Sequence, residues 1–136
     1  MATWFVDTSV AVPLVLASHA AHQRCNRVIG DRAVQLAAHA LLETYSVLTR
    51  LPGDARLAPN DAAILLEQRF GNGAVLSAKS SRALVPTLAR QQIAGGAVYD
   101  ALIATTVLGA RGTLLTRDRR AITTYALIGV PIEVLD

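Results

Sequence analysis

Short apolar runs alternate with longer segments of helical periodicity, and this alternation constrains the fold more than any other feature. It predicts strands at Ala2–Val6, Ala33–Ala37, Ala74–Ser77, Thr113–Thr116 and Ile132–Leu135. It predicts helices at Val10–Ala17, His19–Ile29, His39–Arg50, Asp61–Phe70, Pro86–Ile93, Ala97–Ala110 and Arg117–Leu127. Strands that alternate with helices favour a parallel sheet with both faces covered. The sequence therefore predicts an α/β fold.

Local signals predict several helix ends. Thr8 or Ser9 is the expected cap of the first helix, and Asn60 is the expected cap of the fourth. Gly30 is placed to end the second helix. Pro86 suits the first turn of a helix, where a missing N–H costs little.

Composition limits the class of protein. At 136 residues, the chain is expected to form a single domain over 1–136. Hydrophobic residues make up 52% and charged residues 17%, which is the opposite of a disordered composition. No apolar run approaches the roughly 18 residues of a membrane span, and no basic segment precedes the N-terminal apolar stretch, so we expect no secretory signal. A single cysteine, Cys25, excludes an internal disulfide and fits a cytoplasmic location.

The charge balance leaves two interpretations open. Thirteen basic residues against ten acidic ones give a net charge of +3, and all the basic residues except Lys79 are arginine. An arginine bias of the genome would explain this composition. A nucleic-acid partner would explain it as well, because the arginine fork pairs with phosphate.

Four acidic residues lie among apolar neighbours: Asp7, Glu43, Asp100 and Asp118. A carboxylate in such a place must be paired, hydrogen-bonded or bound to a metal. Asp7 and Asp118 follow predicted strands, and ligand sites of open α/β sheets form beyond the carboxyl ends of parallel strands. Glu43 and Asp100 fall early in predicted helices. We therefore expect all four to meet at one edge of the sheet.

Several carboxylates at one site repel each other unless a cation is present. Mg²⁺ or Mn²⁺ prefers oxygen ligands and can activate water and neutralise phosphodiester charge. Each acid also has a plainer interpretation: Asp7 as a helix cap, Asp100 as an acceptor for backbone N–H groups, Asp118 as a partner of neighbouring arginines, and Glu43 as a surface residue.

Four segments together resemble a known family. They are VDTSV near the N-terminus, LLET in the third helix, GGAVYDALIATTVLGARG, and LLTRDRRAITTYALIGV. In this order they resemble the PIN domain, and especially the VapC toxins of bacterial toxin–antitoxin pairs. VDTS alone is a weak signal, but the ordered set is a specific one. The resemblance runs from residue 5 to about residue 131.

The resemblance implies a three-layer α/β/α sandwich with a central parallel sheet and a metal-dependent endoribonuclease activity. It maps the acidic site onto Asp7, Glu43, Asp100 and Asp118. It implies that Asp7 and Asp100 contact the metal most directly and that the other two complete the site. Supporting roles fall to Thr8, Ser9 and Thr116.

The resemblance also implies partners. These are an RNA substrate, a cognate antitoxin, and a homodimer or toxin–antitoxin hetero-oligomer, with no membrane. In our mechanistic hypothesis, water activated by Mg²⁺ attacks the RNA phosphorus and leaves 5′-phosphate and 3′-hydroxyl ends. Candidates to hold phosphates are Arg117, Arg119, Arg120 and Arg50, although each is equally explained as a surface residue.

Other readings remain open from the sequence. The three histidines are not spaced with the acids as a zinc set, and Tyr45 and Tyr99 are assigned to the core ahead of base stacking. A haloacid-dehalogenase-type phosphatase would need a second Asp where Ser9 stands, or a Gly-Thr close behind. A response-regulator receiver would need paired acids at the first strand. A catalytically silent RNA- or partner-binding domain and an RNA-processing nuclease without an antitoxin remain the alternatives.

Overall fold

The computed structural model describes residues 2–136, and a parallel sheet lies at its centre. Within these residues four strands form the sheet: β1 (Trp4–Val6), β2 (Val34–Gln35), β3 (Thr113–Thr116) and β4 (Ile132–Val134). The strand order is β2-β1-β3-β4, and every neighbouring pair is parallel. Because β1 and β3 are adjacent and parallel, their carboxyl ends open on the same edge of the sheet.

Helices fill the connections between the strands. Residues 2–136 form seven α-helices: α1 (Thr8–Val15), α2 (His22–Ile29), α3 (Ala38–Thr49), α4 (Pro59–Phe70), α5 (Ala78–Arg90), α6 (Ala97–Gly109) and α7 (Ile122–Ile128). A short 3₁₀ turn spans Gly53–Ala55. This architecture confirms the predicted α/β/α sandwich. None of the helices in residues 2–136 combines the length and the apolar character that crossing a bilayer requires.

The predicted strand at Ala74–Ser77 is wrong. Only a single bridge forms there, between Ala37 and Ala74. Ala74 packs against the core, but Val75 is 77% exposed and residues 75–77 make no further pairing with a strand. Ser77 instead caps α5 by accepting a hydrogen bond from the Ser80 backbone N–H.

Several predicted helix boundaries also need correction. α5 begins at Ala78, so Pro86 lies inside the helix and not in its first turn. α4 begins at Pro59, a position where proline loses no helical hydrogen bond, and Asn60 is therefore inside the helix and does not cap it. α7 begins only at Ile122, because the residues after β3 form a turn.

The core fixes the relative position of β1 and β3. Phe5 and Leu114 are paired in register and fully buried. At Gly112, just before β3, an added Cβ would lie 2.5 Å from the Phe5 ring, so only glycine allows this approach. The Asp7 backbone N–H donates to the Leu115 carbonyl at 3.2 Å. This continuation of the ladder sets the first acidic residue beside the end of β3.

Candidate active site

The four candidate acids meet in one cleft at the carboxyl edge of the sheet. Asp7 directly follows β1, and Asp118 lies two residues beyond β3. α3 contributes Glu43, and the first turn of α6 contributes Asp100. The cleft has a volume of about 120 Å³, and it is lined by Asp7, Thr8, Ser9, Glu43, Asp100, Ile103, Asp118 and Tyr125. The structure thus brings together side chains separated by more than a hundred positions in sequence.

Asp7 is the buried and fully hydrogen-bonded member of the set. Only 4% of it is exposed. Its Oδ1 accepts from the Ser9 backbone N–H at 3.0 Å and from Ser9 Oγ at 2.5 Å. Its Oδ2 accepts from Thr116 Oγ1 at 2.5 Å and from the Tyr125 hydroxyl at 2.7 Å.

Asp7 also caps α1, the role that the sequence assigned to Thr8 or Ser9. Capping and membership of the acidic cleft therefore coincide in one residue. Burial raises the pKa of Asp7, and the hydrogen bonds from Ser9, Thr116 and Tyr125 oppose that rise.

Asp100 differs from Asp7 in that no neighbouring group holds its carboxylate. Its carboxylate accepts no hydrogen bond and makes no ion pair with any residue the structure describes. Burial first, and then the charges of Asp118, Glu43 and Asp7, raise the pKa of Asp100 to about 6, against a smaller opposing effect of Arg120. The shift therefore combines the burial of this carboxyl group with the repulsion of the acids around it.

Glu43 is oriented by two neighbours. Thr8 Oγ1 donates to Glu43 Oε1 at 3.1 Å, and His39 Nε2 lies 3.6 Å from Glu43 Oε2. His39 was not expected near the site from its spacing in sequence. It stacks on Tyr99 at 5.1 Å between ring centroids, and Tyr99 is 53% exposed, so its predicted place in the core is wrong.

The turn after β3 sets Asp118 at the opposite wall. Its backbone N–H donates to Thr116 Oγ1 at 3.0 Å, and its Oδ1 accepts from the Arg120 backbone N–H at 3.0 Å. Thr116 therefore links two of the acids, because the same hydroxyl donates to Asp7. The predicted supporting role of Thr116 therefore has two contacts in the structure on which it could rest.

The predicted phosphate-binding arginines have unequal surroundings. Arg119 is paired with Asp136 at 2.9 Å on the surface. Arg120 Nε lies 3.7 Å from Asp118 Oδ1. Arg117 borders a neighbouring groove, and its backbone N–H donates to Ser9 Oγ at 2.8 Å. Arg50 donates to Ser46 Oγ at the end of α3 and does not line the cleft.

Tyr125 is the site residue that sequence reasoning missed. It is 1% exposed and its hydroxyl bonds to Asp7, yet it lies in the apolar segment AITTYALIGV. Burial and the Asp7 charge raise the pKa of this phenol, so it stays a hydrogen-bond donor at neutral pH. A buried tyrosine needs a hydroxyl partner, and that requirement is the signal that points to it.

The donor chemistry of the cleft fits a hard divalent cation. Every charged side chain that lines the cleft is a carboxylate, and the hydroxyl groups of Thr8 and Ser9 add further oxygen atoms. Within residues 2–136, no three His, Cys, Asp or Glu side chains are already arranged around a common ion position. Mg²⁺ does not need three, because it keeps several waters and uses one or two carboxylates directly.

Comparisons with known proteins identify the family of the chain. The PIN domain family matches residues 4–127. Ribonuclease VapC27 of Mycobacterium tuberculosis is 51% identical over 129 residues, which cover 95% of this chain and 94% of the relative. Ribonuclease VapC40 of the same species is 44% identical over 130 residues, which cover 95% and 96%.

Solved structures share the fold at low sequence identity. The VapBC2 complex of Rickettsia felis bound to a promoter DNA fragment includes a chain with a TM-score of 0.65 and 14% identity, covering 98% of this chain and 99% of that one. A DNA-bound VapBC of Salmonella typhimurium gives a TM-score of 0.65 at 18% identity, with 98% coverage of both chains. A FitAB complex bound to DNA gives 0.66 at 16% identity, covering 97% and 94%.

Proposed function

Since the chain belongs to the PIN domain family, we propose that it is an endoribonuclease and the toxin of a toxin–antitoxin pair. The observation that carries the proposal is the meeting of Asp7, Glu43, Asp100 and Asp118 in one cleft from four separate elements. The two ribonuclease VapC relatives support the activity, since they match along nearly the whole chain. We propose the cytoplasm as its place of action.

We propose Mg²⁺ as the cofactor, with Mn²⁺ as a substitute. The residues that would hold it are Asp7 and Asp100, with Glu43 and Asp118 completing the set. When bound, the cation supplies positive charge to the carboxylates and the phosphodiester and lowers the pKa of water for hydrolysis. The pKa of Asp100 near 6 supports this proposal, because burial and three facing carboxylates disfavour its charged form and no basic side chain lines the cleft.

The hydroxyl groups of neighbouring side chains hold the site carboxylates in position. Thr116 and Tyr125 hold one oxygen of Asp7, and Ser9 holds the other, so this carboxylate is fixed before substrate arrives. Thr8 holds Glu43 Oε1 and His39 lies beside Oε2, so this carboxylate is oriented within the cleft, where it would act on water. No protein nucleophile is needed, and the products carry 5′-phosphate and 3′-hydroxyl ends. A 2′,3′-cyclic phosphate product would contradict attack by water.

An apolar groove supports an antitoxin partner. Between α3 and α4 lies a groove of about 320 Å³ that is lined by Leu41, Leu42, Tyr45, Ala63, Leu66, Glu67, Gly71 and Asn72. Leu42 is 67% exposed and Ile64 is 56% exposed on these two helices. Exposed apolar side chains of this size favour a protein partner. The solved VapBC complexes have the same fold and support this assignment.

The decisive experiment is cleavage of total cellular RNA by the purified chain with Mg²⁺, with Mn²⁺ and with EDTA. We expect metal-dependent cleavage that is lost in Asp7→Asn and Asp100→Asn. Asp31→Asn is the matched control, because Asp31 is an exposed acid outside the cleft and its variant should cleave like the parent. A folded, antitoxin-free parent that cleaves nothing would favour a silent binding domain.

A further inference from the structure

We propose that substrate RNA runs from the carboxylate cleft over α1 and α2, along a basic track that ends on α2. The track consists of Arg120, Arg117, Arg24 and Arg27, and it binds the phosphates of single-stranded RNA. This inference rests on the proposed ribonuclease function. It adds an RNA-binding surface on α2 and a path for the RNA strand, from the cleft to that helix.

Two grooves follow one another from the cleft towards α2, each sharing lining residues with the one before it. The first, of about 400 Å³, shares Thr8, Ser9 and Asp118 with the cleft and is further lined by Val12, Pro13, His19, Arg117 and Arg120. The second, of about 450 Å³, is lined by Ala20, Ala21, Gln23, Arg24, Arg27 and Arg117. Arg117 borders both grooves, so the path from the acids to α2 passes over its side chain.

The guanidinium of Arg117 is held in place by a hydrogen bond that the presence of Pro13 makes available. Pro13 has no N–H, so the Ser9 carbonyl lacks its usual helical partner four residues later. Arg117 Nη1 donates to that carbonyl at 3.3 Å. Its Nε–H is buried and has no acceptor among the described residues.

The arginines of α2 are displayed on a firmly anchored helix. Arg24 and Arg27 are three residues apart, which places them on one face of the helix, and both are exposed. The inner face is tied to α1, where His22 Nδ1 lies 2.8 Å from the Pro13 carbonyl oxygen and Asn26 Nδ2 donates to the Leu14 carbonyl at 3.1 Å.

The positive charges of the α2 arginines and of Arg117 are not neutralised by an ion pair among the described residues. In the part of the chain that the structure describes, no carboxylate lies within ion-pair distance of Arg24, Arg27 or Arg117. Arg32 and Arg119, in contrast, are paired with Glu133 and Asp136. Of the four track residues only Arg120 has a carboxylate neighbour, and the position of the other three beside the proposed cleavage site favours nucleic acid as their partner.

The test measures RNA binding in the Asp100→Asn background, which keeps the RNA intact. The variant Arg24→Gln/Arg27→Gln is compared with Arg82→Gln/Arg90→Gln, an exposed pair on α5 that removes the same charge from a different surface. A random-sequence single-stranded RNA of about 20 nucleotides serves as probe, and Kd is recorded as a function of salt concentration. Thermal melting of each variant checks that it is folded.

We expect the α2 pair to raise Kd at least about tenfold at low salt. We also expect its log Kd against log salt slope to fall by about 1.4, since each phosphate contact on a single strand contributes about 0.7. The α5 pair should leave both quantities close to those of the parent. An equal effect of both pairs, or an unchanged slope for the α2 pair, would overturn the track.

Cleavage by the otherwise unaltered chain separates the two proposals. If it cleaves RNA while the α2 pair changes neither binding nor slope, the track is wrong and the ribonuclease assignment stands. If it neither cleaves nor binds RNA under any metal condition, the proposed function itself fails.

Discussion

Asp7 and Asp100 line the same cleft, but they differ in burial, in hydrogen bonding and in the causes that act on their pKa. Asp7 is 4% exposed and accepts four hydrogen bonds, two on each oxygen. Asp100 accepts none from the described residues, and burial together with its three acidic neighbours raises its pKa. One wall of the cleft, at Asp7, is therefore held by the protein's own donors, whereas the other, at Asp100, has none among the described residues. The comparison teaches that part of an acidic site can serve the fold while another part works against it.

The largest expected effect is one that the two residues share. Asp7→Asn and Asp100→Asn should each lower metal-dependent RNA cleavage by about 100-fold or more, because each removes a charged ligand of the proposed cation. Initial rates at saturating Mg²⁺ measure this effect. A variant that kept more than about a third of the parent rate would remove its residue from the proposed ligand set.

Stability without metal should separate the same two variants. Asp7→Asn should lower the free energy of unfolding by about 2 kcal/mol, because an amide cannot replace an acceptor of four buried hydrogen bonds. Asp100→Asn should raise the melting temperature, because it removes a charge that its neighbours repel. Urea unfolding in EDTA provides the measurement. If both variants lost stability equally, the contrast between the two walls would be wrong.

The support of Asp7 should be measurable through Tyr125. Tyr125→Phe removes one donor to Asp7 Oδ2; we expect a loss of about 1 kcal/mol in stability and about tenfold in cleavage. Tyr45→Phe is the matched control, because the Tyr45 hydroxyl makes no hydrogen bond within residues 2–136. Equal behaviour of the two variants would argue against the supporting role.

The smallest effect should be a dependence of stability on pH in the metal-free protein. The pKa of Asp100 is about 6 in the folded chain and has an ordinary value of 3.8. Between these values the folded state binds the proton more tightly than the unfolded state, so stability decreases as pH rises from about 4 through 6. Denaturation in EDTA at a series of pH values, with parent and Asp100→Asn compared, isolates this contribution. A parent-minus-variant difference that does not vary with pH would contradict it.

The sequence predicted the elements that carry strong patterns. Thr113–Thr116 was placed with its observed bounds, since it is a buried apolar run between glycine and a charged turn. Asp7 and Asp118 were expected at one edge because adjacent parallel strands end together. Glu43 and Asp100 lie early in helices, and their assignment to the same site drew also on the resemblance to the PIN domain.

Other features depend on contacts that no local pattern encodes. Segment 74–77 has strand-like composition, but Val75 has nothing to pack against. Tyr125 reaches Asp7 across 118 positions of sequence. His39 approaches Glu43 because the two are one helical turn apart on α3, a spacing that also fits a plain surface pair.

Because Asp7 both caps α1 and lines the cleft, the position of an inactivating substitution would affect how much folded protein remains. Cells that are harmed by the toxin would be rescued by any change that silences it. A substitution at Asp100 would leave an abundant, folded and harmless protein, still able to occupy its antitoxin. A substitution at Asp7 would unsettle the start of α1 as well as the cleft, and so would lower the amount of protein in the cell. Silenced copies that persist as decoys should therefore be altered at Asp100 and retain Asp7.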